Sequence, residues 1–132
     1  MTVQGFYASI GGDYADVVRR LGNEARVKKV LGMLARDESM ASLGAALARG
    51  DYEGAFQYAH TLKGVFLNLG LSRLAQADSA LTETLRPGGE CAAARPQFER
   101  VLQCYAQAVG AIAELHIENA PVKGGGAGVP TE

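Results

Sequence analysis

From residue 13 to residue 115 apolar residues return every three or four positions, and each run is bracketed by a capping residue and a breaker. "GGDYADVVRRLGN" offers Asp13 as an N-cap, apolar Tyr14, Val17, Val18 and Leu21, and a stop at Gly22. Asn23 caps a second run, in which Val27, Val30, Leu31 and Leu34 share one face. A third follows Asp37-Glu38-Ser39, with Met40, Leu43 and Leu47 on one side, and stops at Gly50. Asp51 opens a fourth. Ser72 caps a fifth, carrying Leu74, Ala77, Leu81 and Leu85 and ending in Arg86-Pro87-Gly88-Gly89. Pro96 suits the first turn of a sixth, whose Phe98, Val101, Leu102, Tyr105, Val109 and Ile112 draw a long stripe. No segment alternates as a strand would. The pattern predicts an all-α fold, an up-down antiparallel four-helix bundle with one or two short N-terminal capping helices. Residues 1–12 read as an N-terminal extension, 13–117 as the helical bundle and 118–132 as a flexible Gly-rich tail or linker.

Composition narrows the function classes. A chain of 132 residues is one domain by length. A net charge of −1, with Lys and Arg spread along the chain, gives no basic patch for a nucleic acid or an anionic membrane. No apolar run reaches the roughly 18 residues of a membrane span. "MTVQGFYASIGGDY" has neither a basic start nor a signal-type apolar segment, which predicts a cytoplasmic protein. Cys91 and Cys104 are too few for a disulfide scaffold and match no zinc or redox spacing. "KGGGAGVPTE" follows no strand and opens no helix, so it reads as a spacer, not a phosphate loop.

The fourth run carries the chemistry. At about 100° per residue, Ala55, Tyr58, Ala59, Leu62, Val65, Phe66 and Leu69 gather on one side as the expected core face. His60 points the opposite way, with Glu53, Phe56, Gln57, Lys63, Gly64, Leu67 and Asn68 on its side. A histidine among apolar residues usually belongs to a core; the direction of this one predicts that it faces solvent. Lys63, one turn on, can sit beside an anion attached to the imidazole. Gly64 costs about 1 kcal/mol against alanine inside a helix, which suggests that something must approach the backbone there. Phe56 and Leu67 flank the histidine as a small apolar patch suited to docking. These are the parts needed by a covalently modified histidine that another protein must reach.

"HTLKG" within "AHTLKGVFLNLG" resembles the phosphoacceptor motif of histidine-containing phosphotransfer (HPt) domains of bacterial two-component phosphorelays. The likeness extends through "LARGDYEGAFQYA" upstream and "LSRLAQADSALTETLR" downstream, covering roughly residues 13 to 115. It implies a four-helix bundle whose histidine takes a phosphoryl group from a receiver-domain aspartyl phosphate, or from a kinase, and passes it to another receiver aspartate. By that resemblance His60 is the phosphoacceptor, Lys63 the phosphoryl charge partner and Gly64 the clearance position. Phe56, Gln57, Leu67 and Asn68 would meet the receiver, with Gln57 and Asn68 as candidate hydrogen-bonding groups for the phosphoryl oxygens or the imidazole. The implied partners are response-regulator receiver domains and a histidine kinase.

The residue inventory agrees with that chemistry. Imidazole titrates at about 6.5 when unperturbed, so much of it is an available nucleophile near neutral pH. Glu53 is two turns from His60, so no strong local base is on offer. The face has no carboxylate cluster for a metal, which predicts no cofactor of its own and Mg2+ on the partner receiver. No Walker loop, HExxH motif, serine-histidine-acid set or kinase ATP-binding region is present, so the chain reads as a relay substrate and not an enzyme. His116 falls in line with the last helix's apolar stripe and reads as partly buried; the remaining exposed Arg and Glu residues read as solvated surface. Two other readings stand beside this one. The chain could be a module of a larger kinase, with the tail as an interdomain linker. It could instead be a helical adaptor that binds a receiver domain without phosphotransfer, against which the presence of both His60 and Lys63 argues.

Overall fold

The computed structural model describes residues 1–89 and 91–119, with side chains described as far as residue 115 in the last helix. Among the described residues there are seven α-helices, one 3-10 turn and no strand. The helices are α1 (Val3–Ser9), α2 (Tyr14–Leu21), α3 (Glu24–Arg36), α4 (Ser39–Ala48), α5 (Tyr52–Asn68), α6 (Ser72–Leu85) and α7 (Ala94–Asn119). The 3-10 turn, Cys91–Ala93, leads directly into α7.

Local chemistry sets most of these boundaries. Asp13, Asn23 and Asp51 each accept a backbone N–H with a side-chain oxygen, from Asp16 at 3.0 Å, Arg26 at 2.8 Å and Gly54 at 2.9 Å. Such caps satisfy donors that the first helical turn leaves unpaired. Gly22 and Gly50 end their helices with positive φ, as breakers should. Ser72 does not cap α6: it is the first helical residue, Leu71 holds the N-cap position, and no side chain bonds there.

The apolar faces meet in one core. α5 lies against α4 and α6, and α7 packs on α6 while also reaching α3 and α4. Leu31, Leu43, Phe66, Leu71, Leu81 and Ile112 are fully buried, each contributing about 1.5–3 kcal/mol relative to exposure. The stripe expected on α7 holds at Val101 and Ile112, but Leu102 turns outward and is exposed. Cys91 and Cys104 are half-buried and free. His116 lies within α7 but its side chain is outside the described residues, as is the expected tail from residue 120 onward.

The N-terminus is more structured than its sequence suggests. Residues 1–12, read above as an extension, contain α1, and Val3, Phe6 and Tyr7 are buried in the common core. Thr2 caps this helix by accepting the N–H of Gly5 at 2.9 Å. The rings of Phe6 and Tyr7 meet edge to face, 5.0 Å between centroids. The Tyr7 hydroxyl donates to the carbonyl of Leu69 at 2.6 Å, at the end of α5. Beside it, the N–H of Asp13 donates to the carbonyl of Gly70 at 2.8 Å. Gly70 has φ +68°, and a Cβ there would stand 2.8 Å from the Asp13 carbonyl oxygen, so only glycine fits. A residue far along the chain joins in the same way: the Tyr105 hydroxyl donates to the carbonyl of Leu34 at 3.1 Å.

Tyr7→Phe keeps the buried ring and removes only the donor to Leu69. It should cost about 1–2 kcal/mol in urea unfolding, while Phe6→Ala should cost about 3–5 kcal/mol. Neutral values for both would mean that residues 1–12 stand apart from the core.

Candidate functional site

Three contacts fix α5 in place: the Asp51 cap at its start, and the Tyr7 and Asp13 bonds beyond its end. Near that end Arg20 of α2 also donates to the Asn68 side-chain oxygen at 3.2 Å. Ala55, Ala59, Leu62, Phe66 and Leu69 are buried, as the wheel predicts. Tyr58 and Val65, assigned to the same face, are instead 38% and 36% exposed. Phe56 and Lys63, assigned to solvent, are half-buried. The four discrepancies have one cause. The buried direction lies about 20° from the expected one, toward Phe56 and Lys63 and away from Tyr58 and Val65. The rotation leaves His60, Gln57, Gly64, Leu67 and Asn68 exposed.

The His60 ring does not stand alone. It lies nearly parallel to the Phe56 ring, with 5.8 Å between centroids and 16° between planes. Phe56 itself packs on the core, so the ring expected to dock a partner serves at least partly as a floor for the imidazole. The Arg86 guanidinium, just past the end of α6, sits 5.4 Å from the Phe56 centroid, within range of a cation–π contact. Arg86 also makes a forked pair with Glu83, Nε to Oε1 at 3.2 Å and Nη2 to Oε2 at 2.7 Å. The Arg86 hydrogen bond holds the Glu83 carboxyl below the usual range, and the charges of Lys63 and His60 pull the same way. Glu83 therefore stands in the electrostatic neighbourhood of the histidine.

On the next turn, Gly64 presents bare backbone. A Cβ placed there would meet nothing within 4 Å, so the missing side chain leaves open ground beside the imidazole. Leu67, 49% exposed, continues this surface. Asn68 lies two turns from His60 and its carbonyl oxygen is already engaged by Arg20, which distances it from a phosphoryl group on the ring.

The charge of Lys63 also reaches a residue of α6 outside the expected site. Asp78 of α6 is fully buried and neither carboxylate oxygen has a hydrogen-bond partner. Burial pushes its carboxyl up to about 7, against the pull of the Lys63 charge. The neighbouring Thr82 hydroxyl donates to the Asp78 main-chain carbonyl at 2.8 Å and leaves the carboxylate unserved. A sequence signal for Asp78 existed: it falls on the stripe of Leu74, Leu81 and Leu85. Glu83 and Arg86, read above as solvated surface, carried no such signal, because their relevance depends on which helix lies beside α5.

Among the described residues, no group of three or more His, Cys, Asp or Glu side chains comes together as a metal site. No helix among them is long and apolar enough to cross a membrane. The family model of the Hpt domain matches residues 36–114. The chain therefore belongs to the Hpt domain family, whose members are phosphotransfer modules of two-component relays that interact with receiver domains and kinases and are not catalytic kinase domains. The match takes in α4, α5 and α6 and most of α7, and leaves α1, α2 and nearly all of α3 outside. No curated protein and no solved structure gives a significant match.

Asp78 makes the stability of the protein depend on pH in a defined direction. Its carboxyl is raised from an ordinary 3.8 to about 7, so folding takes up a proton between those values. That contribution is fully present below about pH 4, is lost as pH rises through about 7 and then levels off. Asp78→Asn removes the ionisation. The variant should match the wild type near pH 4 and exceed its stability by on the order of 2–4 kcal/mol at pH 8. Chemical denaturation at the two pH values measures this, and a constant difference would mean that Asp78 does not titrate as its burial dictates.

Proposed function

We propose that this chain is a phosphorelay intermediate in which His60 carries the phosphoryl group. The observation that carries the reading is a solvent-facing imidazole, stacked on Phe56, with Lys63 one turn along and open ground at Gly64. The attacking ring nitrogen forms an N–P bond as the O–P bond of a receiver's aspartyl phosphate breaks. The receiver carboxylate leaves with that bond's electron pair, and the same exchange in reverse delivers the group to a second receiver. A histidine kinase is an alternative donor. The receiver brings Mg2+, and this chain contributes no cofactor. Its part is to hold the imidazole in place, keep it accessible and offer a cation.

Each side chain then has a task. Phe56 limits the tilt of the imidazole from below, and Lys63 offers a point charge to the phosphoryl oxygens. Gly64 lets the receiver approach, Gln57 and Leu67 form the adjoining docking surface, and Asn68 marks its edge. The arrangement best matching this role is an up-down antiparallel four-helix bundle of α4 to α7, capped by the N-terminal helices and working in the cytoplasm. The relay domain then takes in α1 together with the expected residues 13–117, because Val3, Phe6 and Tyr7 share its core, and the residues beyond α7 are a tail or linker.

His60→Gln should abolish labelling by a phosphorylated receiver, with melting temperature nearly unchanged because the side chain is exposed. The wild-type label should be acid-labile and base-stable, as a phosphoramidate is. Labelling that survived His60→Gln but vanished in His116→Gln would sink the assignment.

Gly64 separates clearance from flexibility. Gly64→Ala should stabilise the helix by up to about 1 kcal/mol, since nothing obstructs the new methyl group, while slowing transfer. Gly64→Leu should slow it further with helicity intact. Leu67→Ala should weaken receiver binding without the 2–5 kcal/mol cost typical of a core truncation. Full transfer rates in both Gly64 variants would remove the clearance role.

A further inference from the structure

Asp78 is the only charged residue fully buried among the described residues. A buried carboxylate without hydrogen bonds is strongly disfavoured, and nothing on α6 offsets it: the Thr82 hydroxyl goes to the main chain and Arg86 is held by Glu83. The charge whose field reaches Asp78 comes from α5, and it belongs to Lys63. That same lysine stands one helical turn from His60. Taking His60 as the phosphoacceptor, we propose that Asp78 is a positioning residue acting through Lys63. It competes with the phosphoryl group for the lysine's ammonium, and so shortens the lifetime of the phosphorylated state.

The competition is electrostatic. Lys63 carries one charge on a flexible stem of four carbons and is not a preorganised fork. In the unmodified chain Lys63 is half-buried on α5, which packs directly on α6, and its charge acts on Asp78. A phosphoryl group on His60 brings close to two negative charges within reach of the same ammonium. One cation then has two anions to serve, and the anion in the low-dielectric seam is the less screened of the pair. Lys63 therefore stabilises the phosphoryl group less than it would above a neutral residue. Asp78 is fully buried, and the charge that couples to it is that of Lys63 and not of His60, so its influence on the phosphate runs through the lysine. The consequence is a carrier tuned to release its cargo and not to store it.

A double-mutant cycle tests this. The wild type, Asp78→Asn, Lys63→Ala and the double variant are phosphorylated by a receiver domain charged with acetyl phosphate. The half-life of the phosphohistidine is followed at pH 8, where Asp78 is mostly ionised. Asp78→Asn should lengthen it about three- to tenfold, and Lys63→Ala should shorten it. In the Lys63→Ala background the Asp78→Asn effect should shrink below about twofold. Circular dichroism melts check that all four chains are folded; removal of an unpartnered carboxylate should raise the melting temperature in any case. An unchanged half-life in Asp78→Asn overturns the inference, as does an equal lengthening in both backgrounds, which would mean that the lysine is not the intermediary. Either result leaves the phosphoacceptor reading standing, whereas failure of the wild type to label at His60 brings down both.

Discussion

The burial of Ala55, Ala59, Leu62 and Phe66 sets the rotation of α5 about its own axis, and that rotation allots every side chain of the site its surroundings. Packing against α4 on one flank and α6 on the other leaves the helix little freedom to roll. A shift of about 20° is small beside the wedge of solvent around His60, so the imidazole stays outside. It is large for residues at the margin. Phe56 and Lys63 are drawn into the seam with α6, and Tyr58 and Val65 are released on the other side. The surroundings of the histidine are thus set by apolar contacts on the far face of the same helix.

The seam gives the site a layered charge distribution. Arg86 is committed twice, to the Glu83 carboxylate and to the Phe56 ring, which makes it a support for the stack under His60. Lys63 has no such fixed fork and acts on both Glu83 and Asp78 through its field. Two cations beside one histidine therefore differ in kind. One is braced, and the other can respond to a new anion. Polar groups in a low-dielectric region influence each other more strongly than they would in water, which is why a residue wholly out of solvent can couple to a half-buried lysine.

Much of this was legible in the sequence because much of it is local. Asp13, Asn23 and Asp51 announce their helices, and Gly22 and Gly50 close theirs. The outward direction of His60 follows from counting residues along one helix. Ser72 misled because serine occurs both as a cap and in a first turn, and only the backbone decides which. α1 is not legible in the sequence because seven residues show too little periodicity, although Val3, Phe6 and Tyr7 are all buried. Glu83 and Arg86 could not be assigned without knowing that α6 lies beside α5. Asp78 was different: a carboxylate interrupting an apolar stripe is visible in the bare sequence, and the partner that gives it meaning is not.

The family match begins at residue 36, but the core does not. Tyr7, completely inaccessible, is wedged against the exit of the site helix and bonded to the Leu69 carbonyl, and the chain between α1 and α2 closes over Gly70. The segment that the family model matches and the segment that builds the core are therefore two different objects in this molecule. Cut at the inherited boundary, the chain would keep its histidine and every neighbour on α5 and α6. It would lose the wall behind them, and Leu69, Leu71 and the far end of α5 would meet water.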